Sequence, residues 1–385
     1  MKQIEWDIIE RRLEGGLSPD EEICFQDWYA ESEENRNYYH KLETFYKENG
    51  FVKEITDQDV NTSWDKFSMQ VKNKKDGKKR LISYWSVASV AACLLVGMFI
   101  LFWFGQERGV VNKEGESIIV AGGNKAVLWL SNGEKIALEN HSDEFEEASV
   151  KIVNSGSSLS YEEYKDTVLQ KRVMNRVVTP RGGEYGITLA DGTQVYLGAL
   201  SEIEYPVVFG KKSREVRVSG EVYFNVARDT NRPFIVKTGH LNVEVLGTSF
   251  NVRDYADEDY VETTLVSGKV KVCVGEESCI LESNHQAVLD KKNNILEAKE
   301  VDVSEYVDWK SGRLNIRNKR LEDILTRLSK WYDVYIFYVN EEAKDIRFYA
   351  NIDRYSDMNE LLDKFEKTGE VEFRVKGNVI NVMTK

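Results

Sequence analysis

Proline is scarce in this chain, with four in 385 residues, and no Ser/Gly-rich run accompanies it. Composition therefore marks no disordered linker. Histidine is equally rare. His40, His141, His240 and His285 fall in four different segments, and none has a cysteine or second histidine at ligand spacing, so no metal is expected. Basic charge is not in excess. Lys and Arg number 52 against 65 Asp and Glu, a net of −13. Without a phosphate-neutralising surplus, direct nucleic-acid binding by the whole chain is excluded. Catalytic motifs are missing too. Ser219-Gly220-Glu221 is turn material rather than a nucleophile elbow. Gly182-Gly183-Glu184-Tyr185-Gly186 does not open a helix, so it is no nucleotide loop. The many acids leave paired-carboxylate hydrolysis open, but no assembled motif supports an enzyme, and no cofactor is expected.

One long absence organises the rest: no charge falls between Arg80 and Glu107. Leu81–Phe104 reads LISYWSVASVAACLLVGMFILFWF, and twelve of its 24 residues are Leu, Ile, Val or Phe. As a helix it reaches roughly 36 Å, enough for a bilayer core of about 30 Å. At about −0.3 to −0.6 kcal/mol each, the apolar residues outweigh Ser83, Ser86 and Ser89. Trp85 and Trp103 stand near the ends, where indoles favour the interface. A buried core helix seldom runs so long without a polar face. A secretory signal would begin the chain, and eighty residues precede this run. One transmembrane helix is the expectation. On one flank Lys72, Lys74, Lys75, Lys78, Lys79 and Arg80 face a single acid, Asp76; the other flank is nearly balanced. A lipid-surface patch would use the same lysines, but their place against the span makes topology the simpler account. The positive-inside rule puts residues 1–80 in the cytoplasm and 105–385 outside.

Residues 1–80 read as a small all-α bundle. Ile4, Ile8, Ile9 and Leu13 have a helical period, and Gly15-Gly16 stops that helix. Ser18-Pro19-Asp20-Glu21 starts the next with a cap, a first-turn proline and an acid three residues on. A third helix begins after Ser32, and a fourth carries Trp64, Phe67 and Val71. So small a domain has little core, and this one is crowded with Trp and Tyr. Some of that surface is expected to await a partner. Residues 1–70 hold 17 acids against 8 basic residues. Such a bundle suits a basic partner, for which a DNA-binding protein is an obvious class.

Beyond the span the period changes to two. Ala126–Leu138 reads as a hairpin through Asn132-Gly133. Leu130, Gly133, Ile136 and Leu138 find counterparts 59 residues later in Leu189, Gly192, Val195 and Leu197, and a Gly-Gly pair precedes each run, which suggests a duplicated β-unit. Glu139–Gln170 reads as a polar connection with little core. From Asn175 to Val274 short strands and glycine turns alternate, as in an all-β sandwich, barrel or stacked-sheet domain. Lys271–Glu282, KVCVGEESCILE, reads as a hairpin with its tip near Glu276 and Cys273 and Cys279 equidistant from it. A cross-strand disulfide and two buried thiols both suit that spacing. The last stretch reads β-α-β-β-α-β-β, a small α+β sandwich closed by a hairpin at Gly377-Asn378. The boundaries are 1–80, 81–104, a β-rich linker and first β-unit at 105–174, an all-β domain at 175–300 and the α+β domain at 301–385.

Three sets of residues carry a family resemblance. Leu13–Leu42, LEGGLSPDEEICFQDWYAESEENRNYYHKL, resembles the N-terminal domain of FecR-type anti-sigma factors. It lacks the His and CxxC of the zinc-containing anti-sigma class, so the resemblance implies a zinc-free domain. RVVTPRGGEYGITLADGTQVYLGALSEIEYP, VSGEVYFNVARDTNRPFIVKT, VEVLGTSFNVRDY and VSGKVKV occur in the order of the periplasmic FecR domain. NKRLEDILTRLSKWYDV and the element order around it resemble the extra C-terminal domain of FecR-like regulators from Bacteroidetes-type bacteria, itself similar to the signalling domain of TonB-dependent transducers. The resemblance implies a single-pass inner-membrane anti-sigma factor. Its cytoplasmic helices would hold an extracytoplasmic-function (ECF) sigma factor. Its periplasmic part would read the signalling domain of a TonB-dependent outer-membrane transducer, with regulated proteolysis in or near 81–120. Trp6, Leu13, Trp28, Tyr39 and Leu42 are the residues expected on the sigma face. The competing expectation is a membrane-anchored periplasmic module for glycan or cell wall, whose hallmark would be a concave aromatic pocket in the β-domain.

Overall fold

The computed structural model describes residues 6–49, 119–139, 142–148, 150–163 and 173–385. The expected span at 81–104, the fourth helix and the Lys run lie outside the described residues. Among those described, no helix is long and apolar enough to cross a membrane. The chain divides into two compact units, Met1–Glu116 and Ser117–Lys385.

The first unit contains α1 (Trp6–Glu14), α2 (Pro19–Glu31) and α3 (Glu33–Glu48). Both starts follow from local chemistry. Ser18 Oγ accepts from Glu21 N, and Glu21 Oε2 accepts from Ser18 N at 2.9 Å, a reciprocal capping box. Ser32 caps α3 by accepting from Asn35 N at 3.0 Å. The core is Ile8, Ile9, Leu13, Phe25, Trp28, Tyr38, Tyr39, Leu42 and Tyr46. Asn35, also buried, donates from Nδ2 to Trp28 O at 2.8 Å, tying α3 to α2. Ser18→Ala is expected to destabilise this unit by about 1 kcal/mol, read as an earlier thermal loss of its helical signal.

The second unit begins with nineteen strands in two large sheets. In hydrogen-bonded order the first is β3 (Lys135–Ala137), β2 (Val127–Trp129), β7 (Met174–Val178), β10 (Glu202–Pro206), the first half of β11 (Arg214–Asn225), β12 (Phe234–Lys237), β13 (Asn242–Val245), β16 (Val270–Val274) and β17 (Glu277–Leu281). The second is β4 (Asp143–Glu147), β5 (Val150–Asn154), β6 (Ser158–Glu163), β8 (Gly183–Thr188), β9 (Gln194–Leu197), the second half of β11, β14 (Ser249–Asp254), β15 (Tyr260–Ser267), β18 (His285–Asp290) and β19 (Ile295–Glu300). A two-residue β1 (Gly123–Asn124) runs parallel to β8. β11 belongs to both sheets and changes over at Gly220. That residue has φ +83°, and a Cβ there would stand 2.5 Å from Ser201 Oγ, so only glycine fits. Inward residues of the two sheets form one core, with Phe224 stacked on Phe250 at 5.2 Å. The stacked-sheet expectation is met.

The 59-residue repeat is real at the level of backbone bonds. Leu130 N donates to Glu134 O and Gly133 N to Leu130 O, each at 2.9 Å; Leu189 N donates to Thr193 O and Gly192 N to Leu189 O at the same distance. Two expectations need correction. Within the stretch read as a polar connection with little core, the described residues of 143–163 form strands, as the first β-unit of the 105–174 reading would have them. β4, β5 and β6 form a meander whose Val150, Ile152, Leu159 and Tyr161 join the main core. The cysteine hairpin turns on two residues, Gly275 and Glu276, rather than on Glu276 alone. Cys279 therefore pairs with Val272, and Cys273 with Ser278. Opposed residues share a face and neighbours alternate, so Cys273 and Cys279 point to opposite faces. Both are free thiols, and burial raises the pKa of Cys279.

The unit ends with α4 (Ser304–Val307), a 3-10 turn at Asp308–Ser311, β20 (Arg313–Arg320), α5 (Leu321–Tyr332), β21 (Tyr335–Tyr338), β22 (Arg347–Asp353), α6 (Met358–Glu366), β23 (Val371–Lys376) and β24 (Val379–Thr384). From β20 the order is the expected β-α-β-β-α-β-β. The strands form two small sheets, β20–β22 and β21–β24–β23, with β21 parallel to β24. The apolar faces of α5 and α6 fill a separate core around Leu325, Leu328, Leu362 and Phe365.

Candidate functional site

Four of the five residues expected to face sigma lie inside the helical unit. Leu13 is 4% exposed, Trp28 5%, Tyr39 7% and Leu42 0%. Their rings and side chains pack on one another: Phe25 lies edge-on to Tyr39 at 4.9 Å, and Trp28 to Tyr38 at 6.2 Å. Trp6 is half-buried. Phe25, Trp28, Tyr38, Tyr39 and Tyr46 thus make the core, while Tyr29 and Phe45, like Trp6, are half-buried at its edge. What the unit presents outward is acid. On α2 the exposed stripe is Asp20, Ile23, Cys24, Asp27 and Glu31, spaced to share one face. Ile23 is 61% exposed and stands between Asp20 and Asp27 in that stripe. Glu33, Glu34 and Glu48 add exposed acids on α3. Near the other face Tyr29 Oη and His40 Nε2 are hydrogen-bonded at 2.7 Å.

In the second unit the charged chemistry concentrates where the β-domain meets the C-terminal domain. Glu221 on β11 is the hub. Its Oε2 accepts from Arg253 of β14 at 2.8 Å, and its Oε1 accepts from Arg327 of α5 at 2.8 Å and from Asn251 Nδ2 at 3.1 Å. Burial would raise the Glu221 carboxyl, but the guanidiniums of Arg327 and Arg253 outweigh it and hold the group below the usual carboxylate range. Lys330, 4% exposed, bonds Asp257 at 2.8 Å and Glu258 at 3.3 Å. Arg354 lies 3.5 Å from the centre of the Trp331 ring, donates to Trp309 O and pairs with Glu184 at 3.3 Å. Its burial lowers its pKa despite Glu184. Arg181 crosses the same boundary, donating to Asp333, Ser329 O and Val334 O.

Beside this network runs a cleft of about 610 Å³, whose lining includes Tyr260, Glu262, Lys299, Tyr306 and Asp323. Sequence reasoning assigned none of these residues to a site. The partners are distant in the chain, 106 positions for Arg327 and Glu221. The available signal was a charged residue at an inward strand position, as at Glu221 and Arg253. Among the described residues, no group of His, Cys, Asp and Glu could hold a metal ion. Trp129, a ring available for sugar stacking, has Lys135 Nζ at 4.0 Å and the Arg176 guanidinium at 4.2 Å, one from each neighbouring strand.

Comparison with known proteins places these parts. Residues 175–271, from β7 into β16, match the FecR protein family, and residues 313–382, from β20 into β24, match the FecR C-terminal family. Two crystal structures of a candidate anti-sigma factor from Parabacteroides distasonis ATCC 8503, at 1.65 and 2.50 Å resolution, are similar to this chain. Each shows 28% identity and a TM-score of 0.51, over 55% of this chain and 99% of that one. No curated protein matches.

Proposed function

The chain belongs to the FecR family, and from that premise we propose that it is an anti-sigma factor held in the inner membrane by residues 81–104. Its helical unit binds an ECF-type sigma factor in the cytoplasm. Its β-domain and C-terminal domain lie in the periplasm and receive the signalling domain of a TonB-dependent outer-membrane transducer. The observation that carries this reading is the similarity to a candidate anti-sigma factor, over 55% of this chain and 99% of that crystallised chain. The charge of residues 1–70, 17 acids against 8 basic residues, supports a basic cytoplasmic partner. The charge-free run of 24 residues beside a lysine cluster supports the topology. The role is regulatory, by binding and release, and needs no catalytic group of its own.

The test is affinity purification of the tagged full-length chain and of a chain lacking residues 1–80, from cells that express both normally. A sigma factor recovered at near-equal stoichiometry with the full chain and absent with the shortened one is the expected result. Equal recovery with both, or none with either, rejects the assignment.

A further inference from the structure

Residues 119–125 thread between the two domains of the second unit. Ile119 is 5% exposed and belongs to the C-terminal domain's core, with Ala121 packed beside it. Its carbonyl accepts from Met358 N at 3.4 Å. Gly122 has no room for a side chain. A Cβ there would stand 2.6 Å from Gly182 O and 2.7 Å from the Trp331 ring. Gly123 N donates to Gly182 O at 2.9 Å, and Lys125 N to Glu184 O at 3.2 Å. The strap is thus held on one side by β8 and the turn before it, and on the other by α5 and α6. The two sides also hold each other, since Gly182 N donates to Lys330 O at 2.9 Å and Arg181 reaches Ser329 O and Val334 O. Val120, by contrast, is 73% exposed. The strap's one strand, β1, has two residues, so nearly all its order comes from its neighbours.

We infer that this strap is a clamp point, ordered only while the C-terminal domain is docked on the β-domain. A partner that draws the C-terminal domain away releases the chain immediately before the β-domain. Coupling of this kind is reciprocal: whatever the strap adds to docking, docking adds to the order of the strap. The inference rests on contacts within the second unit and stands whether or not the sigma assignment does.

Hydrogen exchange on the full-length chain tests both directions. Gly122→Val should speed exchange about tenfold or more in residues 119–125 and also in α5 and around Met358, with β14 and β15 unchanged. Gly123→Ala is the control, because a Cβ at Gly123 meets nothing within 4 Å, and it should behave as wild type. Arg181→Ala weakens docking from outside the strap and should speed exchange in 119–125. If Gly122→Val instead unfolds the β-domain, seen as lost protection in β14 and β15, Ile119→Ser and Arg181→Ala decide. A strap that opens while α5 stays protected, or that stays protected in Arg181→Ala, overturns the inference.

Discussion

Glu221→Ala is expected to destabilise the second unit by about 3–5 kcal/mol, the usual consequence of stranding a buried charge. The carboxylate is buried and is shared by two guanidiniums and an amide. The loss falls unevenly. Arg253 keeps Glu258, on which both its Nε and Nη2 already donate. Arg327 keeps only the Glu305 carbonyl. Arg327 is on α5 and Glu221 on β11, so the damage concentrates on the boundary between the domains. Thermal melting should show a drop on the order of 10 °C, and exchange should rise first in α5. Glu221→Gln keeps the shape and part of the bonding but not the charge, so it should fall between the two. A drop confined to the β-domain, with α5 protected as in the wild type, would mean that the network is not a docking contact.

The same carboxylate gives the boundary a pH dependence whose sign is fixed by the direction of its shift. The folded pKa of Glu221 lies below the ordinary 4.5. A group depressed on folding contributes its stabilisation fully above the unfolded value, and loses it as pH falls through the folded one. Asp257 shifts the same way: burial raises it, and the bond and charge of Lys330 more than compensate. Docking should therefore be insensitive to pH near neutrality and weaken below about 4.5. The melting difference between wild type and Glu221→Ala should shrink over that acid range. A difference constant down to pH 3 would contradict the assignment of charge to Glu221.

Helix caps and turns were legible because they are local. Ser18 with Glu21, Asn132-Gly133 and Asp191-Gly192 each specify a backbone geometry within five residues, and each forms it. The C-terminal element order was legible because α5 and α6 repeat leucines at helical spacing between short β-branched runs. Residues 143–163 read as a connection for a physical reason. β4 carries Asp143, Glu144 and Glu146, all exposed, around one apolar Phe145, so an edge strand in water looks like a loop. The hairpin of Cys273 and Cys279 was misread by one residue, and a one-residue slip moves a side chain to the other face. The network around Glu221 and the strap at Ile119 were not legible at all. Both consist of partners brought together only by the docking of one domain on another. Nothing in residues 119–125 reveals that Gly122 lies against Trp331.

The helical unit poses the sharpest choice, because an apolar period predicts a buried face without saying what buries it. Trp28→Ala is expected to remove about 3–5 kcal/mol, comparable with everything a core this small supplies. The ring is 5% exposed and packs against Phe25 at 5.9 Å and Tyr38 at 6.2 Å, and the Trp28 carbonyl anchors Asn35. The variant should lose its helical circular dichroism, and with it the sigma binding proposed above. Asp27→Lys changes the neighbouring residue on the exposed face of α2. Surface substitutions of this kind usually stay within about 0.5 kcal/mol of stability, so its helicity should persist. Because it reverses a charge among acids that a basic partner would meet, capture of sigma should weaken, and more so at low salt, where exposed charges act further. The pair separates a residue that makes the unit from one that the unit displays. A Trp28→Ala chain that stayed helical while losing sigma would return the ring to the binding surface; an Asp27→Lys chain that bound sigma as tightly as wild type would take the acidic stripe off it.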